Sequence, residues 1–222
     1  MKPLIALNFK TTGNLTKSKI LELSKIAEDV ARETGANIAI APPQLFAAFI
    51  ASQVNIPVFA QHVDANKPGS NTGSVTAEQI KEAGAIGSLL NHSEKRLTPE
   101  LVKATVERCR EVGIQSLVCT ANPKESQDYS KFNPTFIAVE PPELIGSGIS
   151  VSSAKPEVVT NSVALVREVS QSVIILCGAG VSNGSDVKKA IELGSQGVLL
   201  ASAFTKAKDP KAVLLDMAKA TV

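Results

Sequence analysis

The chain has 222 residues, enough for one large domain or two small ones around a substantial buried core. Hydrophobic residues make up 44% and charged residues 20%, and 23 basic side chains nearly cancel 21 acidic ones to leave a net charge of +2. Without a basic block this is no nucleic-acid footprint, and no apolar run approaches the ~20 residues of a membrane span.

The first residues, Met1 to Lys10, lack a cleavage site of small residues and read as a first strand, not a signal peptide. From there short apolar runs alternate with longer amphipathic ones. Strands are expected over Leu4–Asn8, Asn37–Ala41, Pro57–Ala60, Ala85–Leu90, Ile114–Cys119, Thr135–Val139, Val173–Cys177 and Gly197–Leu200. Helices are expected between and after them, over Lys17–Glu33, Pro43–Gln53, Ala77–Ala83, Pro99–Val112, Pro123–Tyr129, Pro156–Ser170, Gly184–Leu193 and Pro210–Thr221. Several carry their own start signals. Thr76-Ala77-Glu78-Gln79 spells a capping box, Thr98-Pro99 puts a hydroxyl before a helix-starting proline, and Asn183 precedes Asp186 by three residues. Gly35, Gly84, Gly113 and Gly194 follow helical stretches, where a left-handed residue ends a helix.

This alternation implies an α/β protein with a parallel sheet and right-handed crossovers. Eight strands with eight helices suggest closure into a (β/α)8 barrel, with an open doubly wound sheet as the alternative that counting leaves open. No linker or low-complexity stretch interrupts the rhythm, so residues 1–222 read as one domain. The cysteines Cys109, Cys119 and Cys177 show no metal spacing and cannot all pair, which indicates free buried thiols and a reducing, cytoplasmic setting.

In a barrel the chemistry sits where strands end. The first strand ends in Asn8-Phe9-Lys10, the fourth in Asn91-His92-Ser93-Glu94, the sixth in Glu140, the seventh in Gly178-Ala179-Gly180 and the eighth in Ala201-Ser202. Glu140 stands out, because a carboxylate joined directly to the fully apolar run Phe136 to Val139 is partly desolvated. Pro141 and Pro142 stop the strand behind it; Leu144 and Ile145 form an apolar tip, and Gly146 and Gly148 loosen the backbone. A rigid start, an apolar tip and a glycine-rich end describe a lid over a base. Glycines after the seventh strand and small residues after the eighth can bring backbone N–H groups close to an anion, and Lys10 adds positive charge. The expected ligand is therefore a small phosphorylated anion. His62, after the third strand, reads as structural or interfacial.

These motifs together resemble the triosephosphate isomerase family, most closely its short archaeal form. The family's Asn-x-Lys stands here as Asn8-Phe9-Lys10, its Gly-His-Ser-Glu-Arg-Arg as Asn91-His92-Ser93-Glu94-Lys95-Arg96, and its Glu-Pro with a glycine-rich lid as Glu140-Pro141 through Gly148. Cys177-Gly178-Ala179-Gly180 and Leu200-Ala201-Ser202 look like the archaeal phosphate loops. Departures are Asn91 for glycine, Lys95 for arginine, Pro142-Glu143-Leu144 within the lid and a changed lid hinge at Ile149-Ser150-Val151.

The resemblance implies interconversion of dihydroxyacetone phosphate and D-glyceraldehyde 3-phosphate through an enediolate, in glycolysis and gluconeogenesis, with no metal or organic cofactor. It implies Glu140 as the base that moves the carbon-bound proton and His92 as the group that polarises the carbonyl, set before a short helix whose N-terminus disfavours the imidazolium. It makes Lys10 the cation that stabilises the enediolate. It gives substrate contacts to Asn8, Phe9 and Lys10, and phosphate contacts to Ile145, Gly146, Gly180, Ala201 and Ser202. The stretch Gln61 to Gly73 resembles the family's protruding third loop, which inserts into a partner subunit, and archaeal relatives suggest a homotetramer, a homodimer at least. Two rivals stay open on the residues: another phosphate-binding barrel, such as a phosphosugar epimerase, and a non-catalytic sensor of a phosphorylated metabolite. Glu140 with its lid argues against the second, because binding alone does not need a base.

Overall fold

The computed structural model describes residues 2–145 and 149–222. Strands β1 (Leu4–Asn8), β2 (Asn37–Ala41), β3 (Phe59–Ala60), β4 (Gly87–Leu90), β5 (Gln115–Thr120), β6 (Phe136–Val139), β7 (Ile174–Cys177) and β8 (Gly197–Leu200) form one parallel sheet in the order β2-β1-β8-β7-β6-β5-β4-β3. A parallel bridge between Ile40 and Val58 joins the two ends of that order, with Ile40 N–H donating to Pro57 O at 3.0 Å. The sheet is thus a barrel, and the open doubly wound alternative is excluded.

Helices α1 (Lys17–Thr34), α2 (Ala47–Ala51), α3 (Ala77–Glu82), α4 (Pro99–Val112), α5 (Pro123–Ser130), α6 (Val151–Ala154), α7 (Pro156–Val169), α8 (Gly184–Glu192), α9 (Ser202–Thr205) and α10 (Pro210–Lys219) cover its outside. The start signals act as read. Thr76 and Gln79 form both bonds of the capping box, Thr98 Oγ1 accepts from Leu101 N–H at 3.3 Å, and Asn183 Oδ1 accepts from Asp186 N–H at 3.0 Å. Gly35, Gly84, Gly113 and Gly194 all have positive φ.

Two expectations are corrected. The helix expected over Pro43–Gln53 is a 3-10 turn at Gln44–Phe46 followed by the five-residue α2. Gln44 Oε1 accepts from the backbone N–H of Gln61 and of His62, at 2.9 and 3.2 Å, which pins that first turn to the end of β3. Nor does a helix follow His92 directly. Ser93–Lys95 form a tight turn in which Lys95 N–H donates to His92 O at 2.7 Å, and α4 waits until Pro99. The residue before a proline is disfavoured in helical geometry, so the helix begins at the proline itself.

Burial parity positions the site. Leu4 and Ala6 of β1, Leu89 of β4, Leu117 and Cys119 of β5, Phe136 and Ala138 of β6, and Leu176 and Leu199 of β7 and β8 fill the barrel interior. The alternate residues, such as Ile5, Leu7, Ile38, Ile40, Leu90 and Val118, pack under the helices. Side chains alternate along a strand, so two residues beyond Ala6, Ala138, Leu176 and Leu199 the interior parity reaches Asn8, Glu140, Gly178 and Ala201. Those four sit together at the C-terminal mouth.

Candidate active site

A cavity of about 530 Å³ opens at this mouth, lined among others by Asn8, Lys10, His92, Glu140, Ile145, Gly180, Ala201 and Ser202. The residues singled out on separate strand ends therefore meet in one place; Gly146 lies outside the described residues. Phe9 also lines the cavity, but its ring is fully buried 5.9 Å from that of Phe204, so what it offers a ligand is backbone.

Glu140 continues the interior face of β6. Its N–H donates to Thr120 O at 2.7 Å, and the residue is only 7% exposed. Oε2 has no hydrogen-bond partner among the described residues. A buried carboxylate oxygen without a donor keeps a lone pair uncommitted, which a base requires and a structural ion pair would not leave. The neighbouring strands make room for it. A Cβ on Gly178 would overlap the Glu140 Cγ and stand 3.0 Å from its Cδ. From the other side, burial and then the charge and hydrogen bonding of Glu140 hold the Cys119 thiol well above its usual range. That thiol keeps its proton, so it brings no second negative charge to the carboxylate.

His92 Nε2 lies 3.9 Å from Glu140 Oε2. Its other nitrogen, Nδ1, accepts from the Glu94 N–H at 3.2 Å. A ring nitrogen that accepts carries no proton, so this geometry puts the ring proton on Nε2, facing the cavity. The turn at Ser93–Lys95 supplies the backbone donor that a helix N-terminus was expected to supply.

Lys10 has φ 56, in the left-handed region that non-glycine residues rarely adopt. Its N–H donates to Asn8 Oδ1 at 2.9 Å, and its Nζ to Glu94 Oε1 at 2.8 Å. Gln61 holds this strained turn. Its Nε2 donates to Asn8 Oδ1, Lys10 O and Ala41 O at 3.3, 3.1 and 3.1 Å, while its Oε1 accepts from Thr11 Oγ1 at 3.2 Å. Sequence reasoning took Gln61 only as the first residue of the third loop and missed this role. His62, read as structural or interfacial, is buried with Nε2 3.0 Å from Asp64 Oδ1.

On the far side of the cavity Ala179 and Gly180 are consecutive left-handed residues, φ 65 and 72. A Cβ on Gly180 would overlap the Ile149 carbonyl, and Val151 N–H donates to Ala179 O at 3.3 Å. The downstream end of the lid is thereby seated on the loop after β7. Ser152 Oγ donates to Asp186 O at 3.2 Å and pairs with Ser150 Oγ at 2.8 Å, which ties the changed hinge to α8. At the lid's upstream end Glu143 is ion-paired with Lys155. After β8 the chain enters α9 at Ser202, with Ala201 as its cap. This short extra helix was not anticipated, since four residues carry no periodicity to read. Among the described residues no group of three or more His, Cys, Asp and Glu side chains could hold a metal ion.

A family model described as triosephosphate isomerase matches residues 3–221. The chain belongs to the triosephosphate isomerase family. It is 50% identical to the triosephosphate isomerase of Methanothermus fervidus and 48% identical to that of Methanosarcina barkeri, with 97% of this chain and 97% of each relative aligned. To the triosephosphate isomerase of Methanocaldococcus jannaschii it is 46% identical over 97% of this chain and 99% of the relative. Its fold is the (β/α)8 barrel of the triosephosphate isomerase family, and its reaction is the interconversion of dihydroxyacetone phosphate and D-glyceraldehyde 3-phosphate, a step of glycolysis. No helix among the described residues is long and apolar enough to cross a membrane.

Proposed function

We propose that Glu140 is the base of this isomerisation. Its carboxylate takes the carbon-bound proton beside the carbonyl, leaving an enediolate, and returns it to the neighbouring carbon. His92 Nε2–H polarises the carbonyl oxygen and serves the two enediolate oxygens in turn. Lys10 supplies the positive charge that opposes the negative charge developing there. Asn8 holds substrate and Lys10 alike, and backbone N–H groups of Ile145, Gly180, Ala201 and Ser202 bind the phosphate. Closure of the Leu144–Ile145 tip excludes water, which protects the enediolate from losing its phosphate. The observation that carries this reading is the buried Glu140 Oε2, without a hydrogen-bond partner among the described residues and standing 3.9 Å from His92 Nε2.

The same reading takes residues 1–222 as one domain working in the cytoplasm, in gluconeogenesis as well as glycolysis, and self-associated as a homotetramer or at least a homodimer. Leu45, 92% exposed in the turn after β2, is an apolar side chain that such an association would cover. Light scattering at micromolar concentration tests this, and a monomer would refute it.

The deciding experiment is a coupled assay of glyceraldehyde 3-phosphate turnover, parent beside Glu140→Ala and Glu140→Asp. The alanine variant is expected to lose nearly all turnover. The aspartate variant, its carboxylate withdrawn by one methylene, is expected to lose kcat by about 10²-fold with KM little changed. An aspartate variant within about twofold of the parent would sink the assignment of the base.

A further inference from the structure

We propose that Asn91 is a positioning residue for His92, acting through a clasp formed by its own side chain; this rests on the reading of His92 given above. The parallel ladder between β4 and β5 ends at the pair Leu90 and Val118. One residue later the backbone of Asn91 turns into the left-handed region, φ 57, where asparagine is among the few non-glycine residues that sit readily. That turn aims His92 into the cavity. It also takes the backbone of residue 91 out of line with β5.

The Asn91 side chain makes good the loss. Its Nδ2 donates to Cys119 O on β5 at 2.9 Å, and its Oδ1 accepts from Leu97 N–H at 2.9 Å. Asn91 is 1% exposed, so water does not compete for either bond. One buried amide thus fastens the start of the 91–97 loop to the next strand and closes the loop on itself. His92 lies inside the closed loop, along with Glu94, whose N–H fixes the tautomer of the ring. The glycine of the common motif would permit the same turn but could supply neither bond. Asparagine here combines the backbone freedom the turn needs with a rigid hold on the residue that follows.

A residue that only stabilises the turn would lower the melting temperature and leave His92-dependent chemistry alone. A double-mutant cycle separates the two roles: parent, Asn91→Gly, His92→Ala and the double variant. Each is assayed for kcat and KM on glyceraldehyde 3-phosphate well below its melting temperature, with enough enzyme to read residual turnover. Asn91→Gly keeps the allowed backbone and removes the clasp. It is expected to lower kcat about tenfold or more with KM changed less than about twofold, because a group displaced by a fraction of an ångström loses much of its effect on the transition state. In the His92→Ala background the same change is expected to cost less than about twofold, since the group it positions is gone. Should the glycine variant not fold, Asn91→Asp takes its place. It keeps the acceptor for Leu97 N–H but sets a carboxylate oxygen against the Cys119 carbonyl, and the same non-additivity is expected. Equal losses of kcat in both backgrounds, or an Asn91→Gly enzyme within about twofold of the parent, would overturn the proposal. If His92→Ala itself kept the parent's kcat, the reading of His92 would fall and this inference with it. A collapsed His92→Ala beside an indifferent Asn91→Gly overturns the clasp alone.

Discussion

Gly178→Ala offers a way to move the proposed base without touching it. The φ of Gly178 lies outside the left-handed region, so alanine meets no backbone strain there. Its N–H remains free to donate to Val139 O, a 2.9 Å bond between β7 and β6. What changes is space. The new Cβ would overlap Glu140 Cγ and lie 3.0 Å from Cδ and 3.1 Å from Oε1. Carbon atoms rest at about 3.5–4.0 Å, so the carboxylate must retreat by about 1 Å. A misplacement of that size costs a reaction step about 10²-fold, or roughly 2.7 kcal/mol of barrier. Overpacking in the barrel mouth adds about 1–3 kcal/mol of destabilisation. The coupled assay should therefore show kcat down by about two orders of magnitude with KM little altered, in a protein whose circular dichroism at the assay temperature matches the parent. A Gly178→Ala enzyme with kcat within about threefold of the parent would mean that the carboxylate position is not critical, and would refute the reasoning.

Gln61→Leu, apolar and of comparable bulk, strips the donor from Asn8 Oδ1, Lys10 O and Ala41 O. It should raise KM several-fold as Lys10 leaves its strained turn, and lower stability by about 1–3 kcal/mol because these part-buried acceptors lose their partner; unchanged KM and unchanged melting would contradict that role. The thiols predict an alkaline limb. Burial above all pushes Cys109 and Cys177 from 9.0 up to about 12. A pKa raised by folding leaves stability whole below the unfolded-state value and erodes it as pH climbs from about 9 toward about 12. Urea midpoints measured across that range should fall, and should fall less in a Cys109→Ala/Cys177→Ala variant. A disulfide-exchange reagent should label these thiols slowly in the native enzyme and promptly in denaturant; prompt native labelling would show the burial to be wrong.

Much of the architecture was legible because the strands are short apolar runs and several helices, such as α1, α3, α4 and α8, carry their own caps. Leu4–Asn8, Asn37–Ala41, Gly197–Leu200 and Pro99–Val112 have the bounds expected of them. Misses cluster where a distant partner decides the local form. Gln44 turns away from a regular helix because its side chain is taken by Gln61 and His62. The stretch after His92 stays a turn because its next helix starts at Pro99. The site divides in the same way. Lys10, His92 and Glu140 were visible as reactive groups on strand ends, and the family resemblance suggested a role for each. Gln61, Gly178 and Cys119 were not singled out in those roles, since what each does depends on which strand its neighbours reach.

The closure of the barrel has a further consequence. Between β2 and the chain entering β3 the backbone ladder is a single bridge at Ile40 and Val58, and β7 and β8 share the single pair Cys177 and Val198, while β4 with β5, β5 with β6 and β6 with β7 share four residue pairs each. Above that bridge the staves are held by amide side chains, Gln44 reaching Gln61 and His62, and Gln61 reaching Ala41, Asn8 and Lys10. Amide hydrogen exchange should therefore find a lower opening free energy along this seam than along the β4-to-β7 wall, in a sub-global fluctuation that leaves that wall closed. The hoop that shuts the barrel and the rest that steadies Lys10 are the same few bonds. As the enzyme warms, its hold on Lys10 should slacken before the wall that carries His92 and Glu140 does, and partial opening would show itself first as lost affinity.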